Sequence, residues 1–125
     1  MALTSPGTPK TVLCFLNQTA DETLGPWIDV RGYPNVTFYL TGSNATISSG
    51  VISIEEAAPI KPNEPVYGTS TGEYSLIGTQ NADTLTDGVQ LGYHLPSDRA
   101  YYFVRVRIST AIGGGGNASA LLVAY

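Results

Sequence analysis

An all-β chain, built as an antiparallel β-sandwich or jelly roll of about eight strands, is encoded here on three counts. Apolar residues recur with a period of two in several short stretches, and no stretch carries a helical period. Charged residues make up 13% of the 125 residues, about half the usual share of ~25%. The surface is therefore coated with Thr, Ser, Asn, Tyr and Gly rather than the Lys and Glu of exposed helices. Gly, Pro and Asn break the chain at intervals that suit short antiparallel strands.

Residues 1–11 are polar, with Pro6, Gly7 and Pro9, and read as an extended arm. One domain, residues 12–125, follows. "TVLCFLN" (11–17) is the first strand and "WIDVRG" (27–32) a short second one. "NVTFYLTG" (35–42) places Val36, Phe38 and Leu40 on one face and Thr37, Tyr39 and Thr41 on the other. "TISSGVISIEE" (46–56) is expected to pair with it as a hairpin, with a bulge at Gly50.

Pro59, Pro62 and Pro65 then interrupt the pattern in a long loop, 57–72. Proline cannot donate to a ladder, so this segment reads as a semi-stiff excursion of polyproline-II character, a spacer or clasp able to meet a partner. "EYSLIGT" (73–79) and "VQLGYHL" (89–95) resume as strands, with a turn or one helical turn at "DTLTDG" (83–88). "RAYYFVRVRIST" (99–110) is the longest strand, and "ASALLVAY" (118–125) is expected to close a hairpin with it across the glycine run 113–116.

The net charge of −4 and the isoelectric point near 4.6 argue against a nucleic-acid groove, which needs clustered Lys and Arg. No apolar run approaches the ~18 residues that span a bilayer. The start "MALTSPGTPK" has neither a basic segment nor an apolar one, so no signal peptide is expected. Without one, the four Asn-x-Ser/Thr triplets at Asn17, Asn35, Asn44 and Asn117 are not read as glycosylation sites.

No catalytic set emerges. Cys14, the single cysteine, lies in an apolar strand and reads as a buried, inert thiol. His94, the single histidine, reads as a solvent-facing strand residue. Glu55 and Glu56 are adjacent, so a strand sends them to opposite faces. Asp83 and Asp87 lack calcium-loop spacing, and turn chemistry explains them. "GGGG" has no following Lys-Ser/Thr and no helix, so it is no phosphate cradle. No enzyme activity, metal or cofactor is expected. Trp27 is expected in the core.

The stretch "YYFVRVRIST" (101–110) is the most informative. Tyr102, Val104, Val106 and Ile108 form its core face. Tyr101, Phe103, Arg105 and Arg107 form the other. Two readings of that second face stand side by side. It is a second buried layer with Arg tips in water, or it is a contact surface, since Tyr, Phe and Arg are enriched where proteins meet.

"WIDVRGYPNVTFYLTG", "SGVISIEEA" and "YYFVRVRISTAIGGGGNASALLVAY" together resemble small virion proteins of tailed bacteriophages, the capsid cement or decoration proteins. The likeness spans most of residues 27–124, and it does not extend to the arm or to the proline-rich loop. It implies a jelly roll, no catalytic residues, and a place on the capsid exterior of a virion assembled in the host cytoplasm. It implies binding to the major capsid protein, bridging its subunits as a homo-oligomer, dimer or trimer. Tyr101, Phe103, Arg105, Arg107, Pro59, Pro62 and Pro65 are the expected partner-binding residues. The alternative is a carbohydrate-binding β-sandwich module of a phage head or tail fibre, with Trp27 or tyrosines stacking on sugar rings.

Overall fold

The computed structural model describes residues 8–43, 46–58 and 74–125. Nine strands and one 3-10 turn follow in order: β1 (Lys10–Gln18), β2 (Thr23–Leu24), β3 (Ile28–Asp29), β4 (Val36–Ser43), β5 (Ser49–Ala57), β6 (Ser75–Asn81), the turn Ala82–Thr84, β7 (Gln90–His94), β8 (Phe103–Gly113) and β9 (Asn117–Ala124). They form two antiparallel sheets packed face to face. The first sheet has the order β1-β9-β4-β7. The second has the order β2-β8-β5-β6, with β3 also paired to β8.

The short strands β2 and β3 share one position along β8, opposite Arg107–Ile108 and Phe103–Val104. Between them Gly25 still donates to the Val106 carbonyl, while Pro26 has no N–H to offer. Counted as one interrupted edge strand, they give eight positions in two sheets of four. The chain changes sheet at every step except β5 to β6, the order that defines a jelly roll. The fold class read from the sequence is the one observed.

The core lies between the sheets. Phe38, Leu40 and Leu122 from the first sheet meet Ile52, Ile54, Val104, Val106 and Ile108 from the second, all fully buried. Each such side chain contributes about 1.5–3 kcal/mol. On β9, Ala118, Ala120 and Ala124 alternate with outward residues and line the same buried face as Phe38 and Phe15. Three small residues in the middle of the sheet leave room for two phenyl rings, so the layers interdigitate without overpacking.

The expected hairpins do not form. β4 pairs with β9 and β7, whereas β5 pairs with β8 and β6. β8 and β9 likewise belong to different sheets. Turn residues show only that the chain reverses. Stacked sheets lie ~10 Å apart, which a four-residue link reaches as easily as it joins neighbouring strands. At the β8–β9 crossing, Gly114 has φ +99° and lies so close to the Thr46 carbonyl that a Cβ would sit 2.1 Å from it. The expected bulge at Gly50 is present, with φ +125° and a register shift between Ser49 and Val51.

Strand limits shift from those expected along the chain. β1 begins at Lys10, inside the expected arm, and residues 1–7 lie outside the described set. The 27–32 strand shrinks to Ile28–Asp29, because Tyr33 turns back to the Val30 carbonyl and Gly32 has φ +86°. Tyr102, expected on the core face, is exposed, and so is Val89; each falls just before its strand begins. Pro59, Pro62 and Pro65 lie outside the described residues.

Candidate functional site

The two outer sheet faces are built in opposite ways. On the second sheet, the β5–β8 register sets Ser53 opposite Arg107, Glu55 opposite Arg105 and Ala57 opposite Phe103. Arg105 Nε donates to Glu55 Oε1 at 2.7 Å and Arg107 Nε to Oε2 at 2.9 Å. Arg107 Nη1 also reaches Glu22 Oε2 at 2.5 Å. Two carboxylates thus balance two guanidiniums. Glu55 is fully buried and Arg105 is 4% exposed, so each charge leaves water only because its partner is in place. Burial opposes the charge on Arg107, but the hydrogen bond and attraction from Glu55, with Glu22, outweigh it and hold its pKa above the ordinary arginine value.

Aromatic rings cover this cluster. The Arg105 guanidinium lies 4.4 Å from the Trp27 ring and 4.9 Å from that of Tyr74, and Arg107 lies 5.9 Å from Tyr74. Such stacking favours a cation that is poorly hydrated. Trp27 is therefore half-buried on the outside of the sheet rather than in the core. The core has no place for it because Ile28, its neighbour, takes the inward position. Phe103 is buried nearby under the Arg31 guanidinium, which is held by Asp29.

The four sequence-predicted aromatic and arginine residues thus do not share one open patch. Phe103, Arg105 and Arg107 lie together on the outer face, covered by residues of their own chain. Tyr101 belongs to the core, with its hydroxyl donating to the Pro96 carbonyl and its ring under Arg99. It precedes the ladder, so strand alternation does not govern it. Glu22, Trp27 and Tyr74 complete the cluster; Tyr74 is one of the tyrosines the sequence offers as further contact surface beside this face, whereas Glu22 and Trp27 were not singled out for it. Long-range contacts such as these leave no local pattern.

The outer face of the first sheet carries no formal charge. One row runs Leu13, Leu121, Tyr39, Gly92 across β1, β9, β4 and β7. The next runs Thr11, Val123, Thr37, His94, and a third brings Ser119, Thr41 and Gln90 together. Leu13 and Leu16 are 56% and 57% exposed. Thr37 Oγ1 and His94 Nδ1 are 2.8 Å apart. Gly92 gives room to its neighbours, since a Cβ there would meet the His94 ring at 3.0 Å. The sequence signal for this face is apolar residues at both parities in "TVLCFLN" and "NASALLVAY", which a search for one core face passes over.

At one end of the sandwich, Gly32, Tyr33, Pro34, Ser97, Asp98, Arg99, Ala100 and Tyr101 line an open groove of about 550 Å³. Arg99 is fixed there by a two-pronged ion pair with Glu56. Glu55 and Glu56 do diverge, one to the outer cluster and one to the rim. Cys14 is buried, and that burial pushes its thiol up to about 12. His94 is exposed, as expected. Among the described residues, no group of three or more His, Cys, Asp or Glu is arranged to hold a metal ion, and no helix is long and apolar enough to cross a membrane. Comparison with protein-family models, curated proteins and solved structures gives no match.

Proposed function

We propose that this chain is a structural virion protein that decorates and cements a capsid by bridging major capsid protein subunits. The observation that carries the reading is the contrast between the outer faces. One is locked by an internal ion cluster, and the other is an uncharged sheet surface with exposed leucines. An uncharged sheet face with exposed leucines is suited to contact with another protein surface. The sequence resemblance to phage decoration proteins names the assembly that such a chain joins, a capsid shell, and leaves open which of its surfaces the shell meets. Glu55, the most deeply buried carboxylate among the described residues, is committed to two guanidiniums, which favours a binding role over acid–base chemistry. Such a protein acts by mass action, stabilising the assembled shell to which it binds. Cosedimentation with shells lacking the protein tests this. Saturable binding supports it, and a chain that stays in the supernatant at all concentrations overturns it.

The end groove supports a second reading, a carbohydrate-binding module. Tyr33 offers a ring, and Asp98 and Arg99 offer paired hydrogen-bonding groups beside it. Glycan-array binding that is lost in Tyr33→Ala is the result this reading requires.

A further inference from the structure

We infer that the uncharged outer face of the first sheet is covered by a second copy of this chain, in a face-to-face dimer. The inference rests on reading that face as a contact surface, and it names the occupant. An isologous interface sets the same patch against itself, so each residue must tolerate its own neighbours. Leu13, Leu16, Leu121, Val123 and Tyr39 do so, with Thr11 and Thr41 able to donate and accept at the margin.

Charge points the same way. The chain carries −4, so two copies repel at most orientations. The strands of the first sheet hold one charged side chain, Lys10, and it turns to the Asp29 carbonyl at 2.6 Å. Close approach over this sheet therefore brings no like charges together, and it offers no charge for a differently charged partner to recognise. The size also fits. The four strands, of nine, eight, eight and five residues, at ~3.3 Å per residue and ~4.8 Å between strands, cover on the order of 500 Å². Two such faces bury roughly 1,000 Å², the lower bound for a specific interface. An interface at that lower bound suits a weak, reversible dimer, so the test spans the micromolar range.

Light scattering and sedimentation equilibrium on the full chain, from about 1 µM to about 100 µM, test this. The expected mass rises from one chain to two across that range. Leu13→Asp and Leu16→Asp each place a charge on both sides of the interface and are expected to weaken it about 100-fold. Both positions are exposed, so the monomer keeps its fold, which circular dichroism checks. Leu76→Asp, at a position 59% exposed on the second sheet, leaves the dimer intact. A chain that stays monomeric throughout, or a dimer unmoved by either β1 variant, overturns the inference. A dimer that ignores capsid shells removes the cement reading alone. A monomer whose shell binding is lost in Leu13→Asp assigns the face to the shell and removes the dimer alone.

Discussion

Glu55 and Arg105 face each other across the β5–β8 ladder, joined by a 2.7 Å hydrogen bond where both side chains are out of water. Neither charge is stable there alone. Glu55→Ala removes the carboxylate that both guanidiniums meet and leaves Arg107 the exposed one of Glu22, and it is expected to lower unfolding free energy by about 3–5 kcal/mol. Arg105→Met in the same background restores part of the loss, because the uncompensated buried charge is gone. Denaturant unfolding followed by circular dichroism measures both. Trp27 is the only tryptophan and sits against Arg105, so its emission in the folded single variant reports the disturbed cluster.

Arg107 is the more exposed partner of the same carboxylate, 17% against 5% for the Arg105 side chain. Arg107→Gln is expected to cost less than Arg105→Gln, because water replaces the lost donor at the open end of the cluster. Parallel unfolding curves of the two variants check the order, and equal losses would contradict it.

Cys14 gives a pH signature. Its thiol ordinarily titrates at 9.0, and burial pushes it up to about 12. The folded state therefore holds this proton more tightly than the unfolded chain. The associated stability is complete below pH 9 and is lost as the pH rises toward 12. Stability measured across that window is expected to fall more steeply in the natural chain than in Cys14→Ala. At neutral pH, a thiol reagent is expected to react with Cys14 only after unfolding.

Two glycines separate backbone strain from crowding. Gly88 has φ +70° and open space around it, whereas Gly114 has φ +99° with the Thr46 carbonyl in the place of a Cβ. Gly88→Ala is expected to cost about 1 kcal/mol, the left-handed penalty for an L-residue. Gly114→Ala is expected to cost at least twice that, roughly 2–4 kcal/mol, because the crossing between sheets must also shift. Thermal unfolding of the two variants measures the difference.

The layer architecture was readable because period-two alternation in Val36–Leu40 and Val104–Ile108 survives in the folded chain as the two halves of the core. Strand pairing was not. The residues around Gly114 look the same whether the next strand lies beside β8 or in the opposite sheet. The outer cluster was half readable. Arg105 and Arg107 stood out from sequence, but their carboxylate lies fifty residues earlier and the Trp27 ring earlier still. Nothing local distinguishes an arginine that meets a partner from one that meets its own chain. The leucines of β1 were hidden for another reason. They alternate with Val12 and Cys14, so both faces of that strand look like core.

The position of β9 sets the order of events during synthesis. It lies between β1 and β4 and supplies hydrogen bonds to both. Until residues 117–124 leave the ribosome, those two flanking strands have nothing to join them, and their apolar surfaces stay open to any chaperone or neighbouring nascent chain. Closure must then come as one late, long-range event rather than strand by strand.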